Sequence, residues 1–267
     1  MQKLTQHLHL TELSGIEYRV ARTKEELEKA YSLVYREYIK KAYMNENCSG
    51  LRFSIYNALP LTTTFVAITE SGDIIATATV IPDSPLGLPM DEICEKELSG
   101  FRTQGRKLCE ISMLASDTEF LKHAPLSLPL RKIFPLFLLF KALLDYARES
   151  LSLDIMCITI NPKYKTIFNF LAFRDMGGIK PYPEVNGAPA LGLYVDMHTL
   201  SQDLSAPGKE KLYDIFILNK TNPACFAQKM FLALEDIKYF FLEKSSIFTS
   251  LPCAQREYIK HCYPALV

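Results

Sequence analysis

One carboxylate in this sequence is a candidate for proton-transfer chemistry. Glu110 lies in an apolar run, between Cys109 and Ile111, where an unpaired charge would be costly to bury. Burial raises the pKa of a carboxylate, and a carboxylate with a raised pKa can accept a proton near neutral pH. The structural alternative is that Glu110 only forms an ion pair with Arg102 or Arg106.

The other chemistry-bearing residues predict neither a metal site nor a disulfide framework. The seven cysteines are odd in number and scattered, and no two are spaced as C-x-x-C. Reduced and mostly buried thiols are therefore expected. The five histidines do not cluster with acids or cysteines at ligand spacing. We expect no bound metal and no redox cofactor.

Composition excludes several classes of protein. The 267 residues carry 30 Lys and Arg against 30 Asp and Glu, without the basic block that nucleic-acid or anionic-membrane binding requires. The longest apolar run, Ile133 to Leu144, is interrupted by Pro135 and Lys141 and is far shorter than the roughly 20 residues of a membrane span. The N-terminus lacks the features of a secretory signal, so we expect a cytoplasmic protein without a transmembrane segment.

The segments before Glu110 alternate between strands and helices. Thr23 and Glu26 form a capping-box pattern ahead of an amphipathic helix. The β-rich runs 64–69 and 74–81 predict an antiparallel hairpin. Asp91 is expected to cap a short helix that ends near Gly100.

The segments after Glu110 continue this alternation and then change character. An apolar helix over about 135–149, a buried strand over 153–160 and a helix from Asn161 to about Phe173 are predicted. Gly177 and Gly178 are expected to stop that last helix. Two further strand-like runs are 178–182 and 190–196, and the helical runs 209–218, 223–242 and 252–263 follow them.

This order predicts an α/β (α+β) fold in which helices flank a mixed central sheet. We expect a sheet domain over residues 1–200 and a C-terminal helical extension over residues 201–267.

Three stretches carry a resemblance to a known family. They are Leu88-Pro-Met-Asp91 with Glu97-Leu98, Arg102-x-x-Gly105-Arg106 and Glu110-Ile-Ser112-Met-Leu-Ala115; Asn161-Pro-Lys-Tyr-Lys with Phe168; and Tyr182-Pro183 with Gly187-x-Pro189-Ala190. In order and spacing they resemble the bacterial N-acyl amino acid synthases, GNAT-superfamily relatives of the acyl-homoserine-lactone synthases. The resemblance covers roughly residues 17 to 200.

The resemblance implies a GNAT-like N-acyltransferase. Such an enzyme moves a medium or long fatty acyl group from an acyl-carrier-protein thioester to the amino group of an amino acid or related amine. No permanently bound cofactor is implied, because the donor is the carrier's acyl-phosphopantetheine arm. The matching family position is acidic, so Glu110 is expected to accept the amine proton. Ser112 is expected to contact substrate, and backbone amides near Leu114 to hold the oxyanion of the tetrahedral intermediate.

The resemblance also assigns substrate-binding residues, each with a simpler structural alternative. Tyr38 and Tyr43 match aromatic positions that cover the acceptor. Asn161, at the start of the helix after the fifth strand, is expected to contact substrate. Arg131, with Lys132, is expected to bind the donor phosphate; the alternative is that both are solvated surface charges. Phe137, Phe140 and Phe168 are candidates for the wall of an acyl tunnel. The alternative is that they are ordinary core residues. An acidic carrier would require a local basic patch, for which the candidates are Lys122, Arg131, Lys132, Lys163 and Lys165.

Three departures from related patterns keep alternatives open. Met113 stands where the family usually has Arg, so another group holds the acceptor's carboxylate or the acceptor is not a standard α-amino acid. Asn57 replaces the acidic pair of the lactone synthases, which argues against S-adenosylmethionine. No glycine lies between Ser116 and Ile133, which disfavours a pyrophosphate-binding loop. The alternatives are a non-catalytic protein that binds an acyl ligand or a partner, and a coenzyme A-dependent acetyltransferase.

Overall fold

Seven strands form one mixed sheet in the computed structural model, which describes residues 15–123 and 134–265. The strand order is β1-β2-β3-β4-β5-β7-β6. Neighbouring strands are antiparallel except β4 and β5, which are parallel. The predicted mixed sheet is confirmed. The strands are β1 Ile16–Val20, β2 Thr63–Thr69, β3 Ile74–Pro82, β4 Leu108–Ser116, β5 Ile155–Ile160, β6 Arg174–Tyr182 and β7 Ala188–Asp196.

Helices cover both faces of the sheet, and in the described part of the chain none of them is long and apolar enough to cross a bilayer. The helices that precede the last strand are α1 Lys24–Lys40, α2 Asp91–Thr103, α3 Thr118–His123, α4 Phe134–Asp145 and α5 Lys165–Phe170. The helices that follow it are α6 Leu200–Leu204, α7 Glu210–Tyr213, α8 Leu234–Lys238, α9 Ile247–Ser250 and α10 Cys253–Cys262.

The start of α1 differs in detail from the predicted capping box. The Thr23 hydroxyl accepts the backbone N–H of Glu26 at 3.2 Å, as a cap should. The Glu26 carboxylate does not accept the backbone N–H of Thr23, as a complete capping box requires. It instead accepts two hydrogen bonds of 2.8 Å from the buried Arg19 and one of 2.7 Å from the backbone N–H of Arg22. A bidentate ion pair therefore ties α1 to β1.

Two predicted helix ends near glycine are wrong. Helix α2 continues through Gly100 to Thr103, because one helical glycine costs only about 1 kcal/mol. Its N-cap is Met90, and the Asp91 carboxylate accepts the backbone N–H of Leu88 at 2.6 Å instead of capping the helix. Helix α5 ends before Ala172, which has φ +67°. Gly177 lies inside β6, where the register with β7 shifts.

The predicted helix over 223–242 is also shorter in the structure. Pro223–Phe226 forms a single 3₁₀ turn, and α8 with the π turn Tyr239–Glu243 follows it. The chain between these turns is irregular because it runs beside the sheet domain: the backbone N–H of Met230 donates to the carbonyl of Ala21 at 2.9 Å.

The segment after β7 packs on both faces of the sheet. Phe216 is buried in the cluster that includes the apolar side of α4. Phe240 is buried in the opposite cluster, on the α1 side. Its ring centroid lies 5.5 Å from that of Tyr31 and 5.6 Å from that of Phe53. The extension thus contributes side chains to the cores that hold the sheet and α1 together.

This packing predicts a large cost for truncating Phe240. Phe240 is fully buried, whereas Phe231, in the same extension, is 69% exposed. We expect Phe240→Ala to lower the free energy of unfolding by about 3–5 kcal/mol and Phe231→Ala to change it by less than about 0.5 kcal/mol. Urea denaturation of both variants checks this. Equal effects would show that the extension does not share the core.

Candidate active site

An extra residue in β4 shapes the centre of the sheet. Thr77 of β3 pairs with Ala115 and Thr79 pairs with Ser112, so two steps along β3 match three along β4. Met113 sits in this bulge with φ +54°, a conformation that non-glycine residues rarely adopt. The bulge reverses the alternation of β4. Ile111 and Leu114 contact the α4 side, whereas Met113 and Ala115 join the α1 side.

The two parallel strands separate beside this bulge. Their pairing runs from Leu108 opposite Ile155 to Ile111 opposite Ile158, while β4 continues to Ser116. A cavity of about 510 Å³ opens there, and it is lined by residues of β4, β5, α1, α4, α5 and the β6–β7 connection. That volume is typical of small-molecule sites, which measure about 300–1,000 Å³.

Glu110 lies at the base of this cavity. The residue is 2% exposed, and its Oε2 accepts the backbone N–H of Met90 at 2.8 Å. Burial raises the pKa of Glu110 to about 8; the Met90 hydrogen bond opposes this shift, and the charges of Asp91 and Glu184 add to it. A carboxyl group with such a pKa exchanges its proton near neutral pH, as a general base must.

The loop that presents Met90 is held by one guanidinium. Arg102 donates to Asp83 at 2.7 and 2.9 Å and to Asp91 at 2.6 and 2.7 Å. These acids stand at opposite ends of the loop, so Arg102 closes it and fixes the N–H that reaches Glu110. Arg106 pairs with Asp196 at 2.8 Å. The proposed ion pair of Glu110 with Arg102 or Arg106 is therefore wrong.

The cavity has an apolar arm between β5 and the helices α4 and α5. Phe140 and Phe168 stack edge to face there, with ring centroids 5.5 Å apart. Burying a fatty chain against such side chains is favourable by about 25 cal/mol for each Å² of apolar surface. The lining residues of this acyl arm are Leu136, Phe137, Phe140, Ile158, Ile160, Ile167, Phe168 and Leu171.

A second, more polar arm lies beside the end of α1. The helix ends in a Schellman motif: the N–H of Tyr43 donates to the carbonyl of Tyr38 at 2.9 Å, and that of Ala42, with φ +55°, to Ile39 at 3.0 Å. The motif brings the rings of Tyr38 and Tyr43 to 5.8 Å, at right angles. The lining residues of this acceptor arm are Tyr38, Lys41, Tyr43, Arg52, Ser54, Tyr56, Tyr182 and Glu184.

The end of α1 is anchored to Thr118, the first residue of α3, which follows β4 by two residues. The Glu37 carboxylate, 1% exposed, accepts hydrogen bonds from the Thr118 hydroxyl at 3.1 Å and from Lys40 at 2.7 Å. Thr118 itself lines the cavity. The acceptor arm is thus tied to the strand that carries Glu110.

Six residues of the acceptor arm were not predicted as site residues from the sequence, and four of them, Arg52, Tyr56, Tyr182 and Glu184, carry ionisable groups whose interactions matter here. Arg52 forms an ion pair with Glu184, and its Nη2 also donates to the Glu184 carbonyl at 3.2 Å. The pKa of Tyr56 is raised to about 12 and that of Tyr182 is raised further, in both cases first by burial and then by the charge of Glu110. Only Tyr182 carried a sequence signal, as part of the Tyr182-Pro183 motif.

Every predicted site residue that the structure describes lines this one cavity. These residues are Glu110, Ser112, Leu114, Tyr38, Tyr43, Phe137, Phe140, Asn161 and Phe168. The side chain of Asn161 also caps the 3₁₀ turn Pro162–Tyr164, accepting the N–H of Lys163 at 3.2 Å. Arg131 and Lys132 lie outside the described residues, so their predicted phosphate contact stays a prediction.

The three described members of the expected basic patch have neighbours within the chain. Lys122 pairs with Glu119 at 2.8 Å, and Lys165 pairs with Asp175. Lys163 stands 5.0 Å from the ring centroid of Tyr164, a cavity residue. Among the three described lysines, Lys163 thus contacts the ring of a residue that lines the cavity.

Comparison with known proteins identifies a family and a fold for this chain. The sequence model of the family described as N-acyl amino acid synthase FeeM matches residues 29–196. The solved structure of FeeM, an N-acyl amino acid synthase from uncultured soil microbes, is 28% identical with a TM-score of 0.59, over 70% of this chain and 94% of that chain.

Two acyl-homoserine-lactone synthase structures are more distant matches. The AHL synthase LasI is 11% identical with a TM-score of 0.49, over 68% of this chain and 89% of that chain. The coenzyme A-dependent acyl-homoserine-lactone synthase BjaI is 13% identical with a TM-score of 0.49, over 73% of this chain and 90% of that chain. No curated protein matches the chain significantly.

The fold and the family match define a GNAT-like N-acyltransferase. They confirm the predicted fold class and favour an acyltransferase over the non-catalytic alternative. The family match covers well over half of the chain. The chain belongs to the N-acyl amino acid synthase FeeM family.

The raised pKa of Glu110 predicts a specific pH dependence of stability. Between pH 4.5, the ordinary pKa, and about 8, the folded protein keeps a proton that the unfolded chain has released. The free energy of unfolding therefore decreases as pH rises through this range, by at most about 1.4 kcal/mol per unit from this group.

Urea denaturation across this pH range, with wild type and Glu110→Gln, measures that contribution. The glutamine variant should lose this part of the slope. Glu257→Gln, at a side chain that is 63% exposed, should keep it. Superimposable pH profiles for wild type and Glu110→Gln would contradict the raised pKa.

Proposed function

We propose that this enzyme transfers a medium or long fatty acyl group from an acyl-carrier-protein thioester to the amino group of an amino acid. The observation that carries the proposal is that the cavity lined by Glu110 has two differently lined arms. One arm is apolar and ends between α4 and α5; the other is lined by tyrosines and charged groups beside α1. A product that joins a fatty chain to a polar amino acid has the same division.

The acceptor amine must lose a proton to attack the thioester carbon. Glu110 accepts this proton, directly or through one water. Its pKa of about 8 is closer to that of an alkyl ammonium group than the ordinary carboxylate value is, which lowers the free-energy cost of the transfer. The carbon–nitrogen bond forms, the carbon–sulfur bond breaks, and the carrier thiolate leaves and takes up a proton.

The tetrahedral intermediate carries a negative oxygen that needs fixed donors. The bulge supports a role for the backbone amides near Leu114, because β4 has parted from β5 there and its edge faces the cavity. Ser112 lines the same segment and is the candidate for a hydrogen bond to substrate. Tyr38 and Tyr43 cover the acceptor, and Phe137, Phe140 and Phe168 hold the chain.

Two features support the carrier protein as donor. A phosphopantetheine arm brings one phosphate, which needs no glycine-rich pyrophosphate cradle, and the sequence has no glycine between Ser116 and Ile133. Tyr164 lines the cavity, is 37% exposed and stands beside Lys163, so the cavity reaches the surface next to a cation. Lys163 can attract an acidic carrier, while Asn161 positions the chain's first atoms.

Acyl transfer with matched donors tests this function. Acyl-carrier-protein and coenzyme A thioesters of the same chain lengths are incubated with each proteinogenic amino acid, and new amides are measured by mass spectrometry. We expect the wild-type enzyme to form amides from the carrier thioesters. We expect Glu110→Gln to lower kcat by about 10²–10⁴-fold. The wild-type rate should rise with pH up to about 8, because the base must be deprotonated, and the variant should lack this rise.

Glu184→Gln is the control, since it removes a carboxylate from the same cavity and keeps Glu110. It should retain the pH dependence. Absence of any amide would refute the proposed function, and full activity of Glu110→Gln would refute the assigned base. Equal rates with coenzyme A thioesters would refute selectivity for the carrier.

A further inference from the structure

The acceptor arm contains a guanidinium that the mechanism above does not use. Arg52 follows the loop after α1, and its backbone N–H donates to the carbonyl of Tyr31 at 3.1 Å. Its side chain is 19% exposed and lines the cavity. Loss of solvent raises the pKa of the partly buried Tyr38, and the charge of Arg52 opposes this shift. Arg52 and Tyr38 therefore face the same part of the arm.

The contacts of Arg52 leave donor capacity unused. A guanidinium has five N–H donors, and both contacts with Glu184 use Nη2. Nε is buried and has no hydrogen-bond partner among the described residues. A buried donor without a partner costs about 1–3 kcal/mol, so among the described residues this Nε–H is free to donate to a bound ligand.

The charges that line the cavity fit a dipolar ligand. The described charged residues there are Lys41, Arg52, Glu110 and Glu184. Glu110 lies at the base, where the amine must arrive, and Arg52 lies toward the β6–β7 connection with its partner Glu184. An α-amino acid carries an ammonium group and a carboxylate on neighbouring carbons. Its ammonium group can therefore face the carboxylate of Glu110 while its own carboxylate faces the guanidinium of Arg52.

The strand itself offers no cation for this purpose. Met113, directly after Ser112, has an apolar side chain that is 5% exposed and packs with the α1-side core. A thioether cannot pair with a carboxylate, whereas a guanidinium forms charge-assisted and often bidentate hydrogen bonds with it. The anion must then be held from another wall of the arm.

We propose that Arg52 binds the α-carboxylate of the acceptor, with Glu184 holding the guanidinium in place. This inference rests on the proposed function, and it narrows the acceptor to amines that carry a neighbouring carboxylate. Lys41 is the competing cation of the arm; its side chain extends from the exposed end of α1, and an ammonium lacks the planar fork of arginine.

The test compares each amino acid acceptor with its own α-carboxamide, which keeps the amine and removes the negative charge. Differences in amine basicity cancel when the same pair is given to every variant. Wild type should prefer the free acid. Arg52→Gln should lower kcat/KM for the free acid about 10- to 100-fold, mainly through KM, because it loses a hydrogen bond to a charged group.

Arg52→Gln should leave the rate with the carboxamide within about threefold, which also shows that the variant is folded. Lys41→Gln removes the same charge from the same arm and should keep the preference for the free acid. Arg52→Lys should recover only part of the lost affinity. Preservation of the acid preference in Arg52→Gln, or its loss in Lys41→Gln alone, would overturn the assignment.

Binding without turnover separates this inference from the proposed function. Calorimetric titration of the full chain with the free amino acids, and with their carboxamides, needs no acyl donor. Binding of a free acid that Arg52→Gln abolishes supports the inference even if no amide is formed, in which case only the proposed function fails. Amide formation with no effect of Arg52→Gln on acid binding or KM refutes the inference alone. Absence of both amide formation and acid binding refutes both.

Discussion

The site depends on one constraint in the backbone: β4 has one residue too many to pair continuously with β3. Met113 absorbs the mismatch by taking a positive φ, and the strand beyond it cannot stay in register with β5. A continuous sheet would fill this space with paired backbone and alternating side chains. The bulge instead creates a cleft between two buried strands, which leaves room for substrate at the centre of the molecule.

The cleft alone does not select a reaction, and its surroundings supply the chemistry. Glu110 precedes the bulge by three residues and remains in the layer that the Met90 loop covers. Burial there raises the pKa of the Glu110 carboxyl group to about 8. The hydrogen bond from the backbone N–H of Met90 limits this rise. The clamp of Arg102 on Asp83 and Asp91 holds that N–H without placing a cation on Glu110. A cation there would lower the pKa and weaken the base.

Local patterns in the sequence were sufficient for most elements and for many of the cavity residues. Glu110 could be predicted because a charge in an apolar strand is costly, and Phe140 because an apolar helix must be buried. The bulge could not be predicted, since a single extra residue leaves no mark in composition or periodicity. Arg52, in an irregular segment, and Glu184, in the 3₁₀ turn Pro183–Val185, are 132 positions apart. Only the folded chain brings them together.

The helix ends show the same division between local and tertiary causes. Gly100 and Gly177 are typical of chain breaks, yet one lies inside a helix and the other inside a strand. Of the three helices predicted beyond β7, the first and the last are helical at 210–218 and Cys253–Cys262. The middle one forms shorter pieces, because the chain gives up regular hydrogen bonds where contacts such as Met230 with Ala21 fasten it to the sheet. Tertiary contacts therefore decide where these elements begin and end.

The central claim is that one cavity, opened by the bulge, holds the two halves of the product on opposite sides of Glu110. A crystal structure of the enzyme with a bound N-acyl amino acid tests this most directly. The account predicts the fatty chain between α4 and α5 beside Phe140, the amide nitrogen within hydrogen-bonding distance of Glu110, directly or through one water, and the carbonyl oxygen facing the amides near Leu114. A fatty chain in the tyrosine-lined arm, or an amide bond remote from Glu110, would contradict it.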